Sequence, residues 1–286
     1  MTEHFADTWL ALREPFDHVA RSRRLAHVLA DALPARPHVL DLGAGTGSLF
    51  RYLAPIIGRA QVWYFAEDDG DLLDEALSRT AHWAEHHRFT VTWPDRAMIV
   101  HTPRGAWRIE CFESDLTAAP DGLPLDEADA VVCSALLDLV SAEWLGRLLE
   151  WLDVPLLATM TVDGRDSWLP HHPADAILRA AVRRDQRRDH GFGPALGTAA
   201  PAAALRLLDA AGFATTNAPS DWRIPRTGLA MARMLTDSTA NAASEIAPAR
   251  RGVIGAWAQT RLRQATAARL AIRIGHRDIL AMPPGE

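Results

Sequence analysis

Apolar side chains at Leu12, Phe16, Val19, Leu25, Val28 and Leu29 recur at helical spacing over residues 8–33, and Pro34 stops the run. A short apolar strand, His38–Leu42, then breaks into the turn Gly43-Ala-Gly-Thr-Gly47. A helix over 48–53 follows, cut short by Pro55. The spacing next predicts a strand over 61–66, closed by Glu67-Asp-Asp69, and a helix over 71–86. Two β-like stretches, 97–101 and 107–112, flank Thr102-Pro-Arg-Gly105, a hairpin signal. A strand over 129–136, a helix over 142–152 and a strand over 154–162 complete the first half.

Strand and helix alternating through short links predict a parallel sheet covered on both faces. The rhythm breaks over 163–200, where Pro170, Pro173, Gly191, Gly193 and Pro194 surround one charged helix. It resumes with a helix over 201–211, a strand over 213–224, a long helical region and a last strand over 269–274. No internal repeat or long linker divides the chain. The reading is one domain over 1–286, with a helical cap at 1–34 and an insert at 163–200.

Composition narrows the functions. With 48% hydrophobic residues among 286 and a net charge of −6, the chain has ample core material and is not disordered. An acidic protein makes a poor partner for phosphate backbones, so nucleic acid is not expected. No run of about 18 apolar residues is present, so no membrane span is expected. The opening Met1-Thr-Glu-His-Phe-Ala-Asp7 lacks the basic flank and apolar stretch of a secretion signal. Cys111 and Cys133 alone suit a reducing cytoplasm and make neither a disulfide framework nor a Cys-based zinc site. All 30 basic residues are Arg, a pattern that coding bias explains, so no Arg counts as functional merely for being Arg.

The informative stretch is Val39-Leu-Asp-Leu-Gly-Ala-Gly-Thr-Gly-Ser-Leu49. A strand entering Gly-x-Gly-x-Gly and then a helix leaves backbone open to a ligand. Dinucleotide sites place the third glycine one position later, where Ser48 stands here. Asp41, two residues before Gly43, would repel a pyrophosphate and favour an amine-bearing cofactor. The stretch resembles motif I of the class I S-adenosylmethionine-dependent methyltransferases, and later segments fit in order. The resemblance implies that Asp41, Gly43, Ala44, Gly45 and Gly47 cradle the cofactor and that Glu67 or Asp68 holds its ribose. It implies that Asp115, before Leu116, accepts from the adenine, and that the Cys133-Ser134 backbone of Asp129-Ala-Val-Val-Cys-Ser-Ala-Leu-Leu-Asp138 lines its methionine end. The implied fold is a Rossmann-like three-layer sandwich with a seven-stranded, mostly parallel sheet whose last strand is antiparallel.

The acceptor is read less sharply. The Asp/Asn-Pro-Pro-aromatic stretch of base-methylating enzymes is absent, and Cys133 follows Val132 rather than the Pro that a cytosine-C5 nucleophile requires. The insert carries Trp168, His171, His172 and a run from Arg179 to His190 with five Arg against two Asp. That run either recognises an anion, through Arg184, Arg187 and Arg188, or is a solvated helix face. Gly191 and Gly193 around Phe192 would allow a hinge. Asp138, His171, His172 and His190 are the candidates for a base. His82, His86 and His87 read as a polar helix surface rather than a metal site. Arg13, Asp17 and Arg21 recur every four residues, either as an exposed ladder or with Arg13 or Arg21 on the methionine carboxylate. The expected activity is methyl transfer from S-adenosylmethionine, leaving S-adenosylhomocysteine, to a small metabolite that an Arg patch would make anionic. Aminocarboxypropyl transfer, an NAD-dependent oxidoreductase and a non-catalytic cofactor-binding protein are the rivals.

Overall fold

A computed structural model of the chain describes residues 7–95 and 97–284. The opening segment read for a secretion signal lies, apart from Asp7, outside the described residues. Helix α1 (Asp7–Ala20) and α2 (Arg23–Ala32) replace the single run expected over 8–33. The break comes at Ser22, whose side chain caps α2 by accepting from Leu25 N. Strand β1 (His38–Leu42) is as read, and α3 (Ser48–Ile57) runs past Pro55 to Gly58, which closes it at φ 73°. Buried Leu49, Phe50, Leu53, Ala54 and Ile57 hold that helix together. Their packing outweighs the one hydrogen bond Pro55 removes.

Next come β2 (Gln61–Glu67), α4 (Gly70–His86), β3 (Thr90–Thr92), β4 (Ala97–Thr102), β5 (Gly105–Glu113), β6 (Ala130–Ser134) and α5 (Ala142–Leu149). Asp69 caps α4 and Ser141 caps α5. The second half contains β7 (Leu156–Leu169), α6 (Asp175–Asp185), α7 (Ala200–Ala210), β8 (Ala214–Pro219), β9 (Trp222–Ile224), α8 (Leu229–Ile246), α9 (Arg251–Thr266) and β10 (Ala271–Met282).

The strands form one sheet in the order β3-β4-β5-β2-β1-β6-β7-β10-β8, with β9 added on β10. Strands β5, β2, β1, β6 and β7 pair in parallel, and β10 is antiparallel to both its neighbours. The antiparallel last strand is therefore as expected, while the expected seven strands are ten. The hairpin of β3 and β4 widens one edge, and Ser220 and Asp221 divide the strand expected over 213–224 into β8 and β9. Apolar residues of α5 and α7 cover one face of the sheet, and those of α2, α3 and α4 cover the other. This is the three-layer, Rossmann-like class.

The largest departure lies in the insert. Strand β7 runs to Leu169 instead of ending near Val162, and β10 pairs with it from Ala271↔Leu169 to Ala281↔Leu156. The outer half reads as irregular because Asp163, Arg165, Asp166 and Ser167 stand on a ribbon beyond the core, where nothing demands apolar alternation. A third apolar cluster packs α6, α8 and α9 against this ribbon.

Candidate functional site

The chain leaves β1 toward β2 on one side and returns to β6 on the other, opening a crevice at the strand ends where such sheets bind ligands. The glycine turn fills its mouth. Gly43, Gly45 and Gly47 have φ of 67°, 51° and 76°, values that side-chain-bearing residues seldom adopt. Gly43 and Gly45 line a cleft together with Glu67, Asp68, Leu72, Leu116, Ser134 and Phe192. Gly47 faces the other way. A Cβ there would sit 3.1 Å from Arg51 Nη1 and 3.3 Å from the Phe65 ring, so this glycine serves packing. Ala44 and Cys133 are buried beside the cleft without lining it.

Glu67, at the end of β2, accepts from Gly45 N through Oε2 at 2.8 Å and from Asp68 N through Oε1 at 3.1 Å. Burial, helped by Asp68, pushes its carboxyl up to about 7. Asp68 lines the same cleft. Asp41 lies deeper, 1% exposed, and neither carboxylate oxygen has a hydrogen-bond partner among the described residues. Burial raises it to about 8, against the pull of Arg21. Asp115 is exposed and outside the cleft lining, and its Oδ1 accepts from Thr117 N at 2.9 Å and from the Thr117 hydroxyl at 2.6 Å. Those bonds hold its carboxyl below the usual range, so in this structure it caps a turn, while Leu116 reaches the cleft.

Helix α1 turns its polar stripe inward. Asp17 and Arg21 are buried while Val19 is 89% exposed, which excludes an exposed charge ladder. Asp17 accepts from Arg13 Nε at 3.0 Å and from Trp222 Nε1 at 2.7 Å. Arg21 donates to Ser134 Oγ at 2.9 Å and Ser48 Oγ at 3.2 Å, tying α1 to the ends of β6 and α3. Arg13 lines the cleft and lies over the Trp222 ring at 5.1 Å.

A second cavity of about 340 Å³ adjoins the first, and the two share Arg13, Ala135, Leu139 and His190. Trp9, Trp168, Trp222, Met160, Leu178 and Leu235 contribute its apolar wall. Ala135 and Met160 hold φ of 55° and 57°, strained for residues other than glycine, at the junction and in the wall. Asp138 lines this cavity, and its buried Oδ1 has no hydrogen-bond partner among the described residues. Burial raises its carboxyl to about 6, partly offset by nearby backbone N–H groups and by Arg13. His190 stands on a tight loop rather than a hinge, because Asp189 Oδ1 accepts from Gly191 N at 2.7 Å and Gly193 N at 3.0 Å.

Several sequence candidates fall outside the cavity. His171 and His172 do not line it, and His172 Nδ1 accepts from Ala174 N at the start of α6. Arg184, Arg187 and Arg188 are exposed on the far side of α6 and the turn after it, with Arg188 paired to Asp185 and Glu245. The arginines that line the cavity are Arg13, Arg165, Arg179 and Arg183. Arg179 and Arg183, one helical turn apart, share a stripe with Asp175, Leu178 and Val182, the phase signal that could have singled them out. Each guanidinium is engaged: Arg165 with Asp163 and Asp221, Arg179 with Asp166, and Arg183 with Gly164 O. His276, unforeseen in the sequence, is buried against Trp222 and pushed down to about 4 by burial, so it is neutral.

No group of three His, Cys, Asp or Glu side chains among the described residues could hold a metal. No helix among them is long and apolar enough to cross a membrane. No protein-family model and no curated protein matches the chain. Among solved structures it is similar to an S-adenosylmethionine-dependent methyltransferase of Geobacter sulfurreducens in complex with S-adenosylhomocysteine, at 15% identity over 93% of each chain and a TM-score of 0.45. It is similar to a second such enzyme, from Thiobacillus denitrificans, at 13% identity over 98% of this chain and 100% of that one, with a TM-score of 0.45. The cyclopropane synthase of Mycobacterium tuberculosis gives 13% identity over 98% and 99%, with a TM-score of 0.46.

Proposed function

We propose that this protein transfers a methyl group from S-adenosylmethionine to a small molecule, with the cofactor in the cleft at the glycine turn and the acceptor in the adjoining cavity. The observation that carries the reading is the abutment of the two spaces at Arg13, Ala135, Leu139 and His190. A two-substrate transfer needs its reactants held end to end, and such positioning supplies much of the acceleration.

The residues of the cleft fit this cofactor. Gly43 and Gly45 leave their backbone open, Glu67 and Asp68 offer carboxylates to paired hydroxyls, and Leu116 and Leu72 offer an apolar surface to a base. Asp41 lies beneath the turn, buried and outside the cleft lining, where Arg21 offsets part of the cost of its burial, so it underlies the turn rather than lining the cofactor's space. Arg13 and Arg21 supply positive charge on the side of α1. The cofactor, when bound, supplies a methyl group activated by a sulfonium. The chain supplies alignment, exclusion of water by α1, and a proton acceptor at Asp138.

Calorimetry with S-adenosylhomocysteine tests the cleft. Wild type should bind, and Gly45→Val should bind at least tenfold more weakly while circular dichroism reports a folded protein. Gly45→Ala is the milder control for strain at φ 51°. Undiminished affinity in both folded variants would remove the glycine turn from the site.

A further inference from the structure

We infer that the acceptor is an uncharged molecule with a flat apolar body and one hydroxyl, which it presents to Asp138. The inference rests on the methyl-transfer reading, and it replaces the anionic acceptor that the Arg run in the sequence suggested. Three observations carry it.

The first is charge. Four arginines line the cavity, and each already holds a carboxylate or a carbonyl oxygen. Asp138, Asp166, Asp175 and Asp185 also line it, with Asp166 paired to Arg179, Asp175 to Arg261 and Asp185 to Arg188. An anion entering here would find three of the four arginines already neutralised by carboxylates and would face the Asp138 carboxyl. The second is the wall. Trp9, Trp168 and Trp222 contribute ring surface, and Met160 and Leu235 contribute flexible and branched apolar surface beside them. A cavity of about 340 Å³ lies within the range of small-molecule sites, and the indole faces in its wall favour a flat ring. The third is Asp138 itself. Its Oδ1 is buried, has no hydrogen-bond partner among the described residues and belongs to a residue of the cavity lining, so one acceptor of this carboxyl is left for a donor.

In the transfer, the oxygen lone pair of the acceptor forms the new O–CH3 bond as the S–CH3 bond breaks, and the sulfur keeps that electron pair. The hydroxyl proton passes to the Asp138 carboxylate and is released to water afterwards. Atoms and charge balance without any further reactant.

Binding to the protein without cofactor tests the inference, using 2-naphthol, 2-methoxynaphthalene and 2-naphthoate in calorimetry at pH 7.5. The hydroxyl compound should bind at least tenfold more tightly than the carboxylate. Asp138→Ala and Asp138→Asn should both weaken 2-naphthol, the former by at least tenfold, and leave 2-methoxynaphthalene within twofold. Two variants guard against one that fails to fold, and circular dichroism checks both. Carboxylate binding as tight as hydroxyl binding, indifference of 2-naphthol to Asp138, or no binding of any of the three would overturn the inference. S-adenosylhomocysteine titrated into the same samples separates the two claims. Its failure to bind beside normal 2-naphthol binding would count against the methyl-transfer reading and leave the cavity's preference standing.

Discussion

The backbone N–H of Gly45 donates to Glu67 Oε2 at 2.8 Å, so the turn after β1 and the end of β2 are held by one bond. That bond occupies one lobe of the carboxylate and fixes its direction. The sequence leaves Glu67 and Asp68 as equals, whereas the structure anchors only Glu67 to the turn. Glu67→Ala should therefore weaken S-adenosylhomocysteine more than Asp68→Ala does. Charge-assisted bonds of about 1.5–3 kcal/mol each predict a loss of roughly ten- to a hundredfold. Calorimetry giving Asp68→Ala the larger loss would reverse the assignment.

Asp41 yields a prediction on stability and pH. Its folded carboxyl lies near 8, far above the unfolded value, so the ionised form weighs against the folded state. The unfolded chain ionises from about pH 4 while the folded chain still holds its proton. The penalty is therefore absent below that pH, grows as pH rises and levels off above about 8. Asp41→Asn should match wild type near pH 4 and exceed it by a few kcal/mol at pH 8, since each unit is worth about 1.4 kcal/mol. Urea titrations across that range decide it, and a stability gap that does not widen with pH would contradict the account.

How much of this was legible in the sequence depended on what each residue must do locally. Gly43 and Gly45 were readable because positive φ selects glycine directly, and β1 was readable because both its faces are covered. The outer half of β7 was not, because Asp166 and Ser167 gain their strand conformation from pairing with Ile274 and Arg273 of β10, over 100 residues away in sequence. Asp17 and Arg21 were misleading for a related reason. A polar stripe on a helix normally faces water, and here Trp222, Ser48 and Ser134 supply its partners from elsewhere in the chain. The arginine run of the insert misled on phase: charge density pointed to Arg184, Arg187 and Arg188, whereas Arg179 and Arg183 follow Asp175 at four-residue spacing on the stripe that lines the cavity.

Arg21 should be a stability hub. It is 3% exposed, stands among Asp17, Asp41 and Asp278, and links α1 to Ser48 and Ser134. Removing the cation takes away a buried charge that Asp17, Asp41 and Asp278 all face, and breaking a buried pair costs about 3–5 kcal/mol in comparable sites. Arg21→Met keeps most of the volume, so the loss reads charge rather than packing. Chemical denaturation should show that loss at pH 7.5. It should shrink in Arg21→Met combined with Asp17→Asn, because the pair between those two residues is then already broken. A single variant as stable as wild type would mean that the surrounding carboxylates are already neutral.

The arginines of the insert give the sharpest contrast between charge density and geometry. Arg184, Arg187 and Arg188 are exposed and outside the cavity, and the pairs Arg188 makes with Asp185 and Glu245 are solvent-screened. Replacing all three by Ala should leave kcat/KM for the acceptor within twofold, and added salt should change it little. Arg179 differs because its guanidinium holds Asp166, whose other oxygen accepts from Trp168 Nε1 at 3.1 Å. Arg179→Ala would release a carboxylate into the cavity and loosen the Trp168 ring. Acceptor KM should then rise about tenfold, the equivalent of roughly 1.4 kcal/mol, with cofactor affinity unchanged because the cleft does not contain this residue. Steady-state kinetics on the two variants decides it. A triple variant that loses turnover while Arg179→Ala keeps it would place the acceptor on the outer face of α6, and the cavity between Trp168 and Trp222 would then have to serve another purpose.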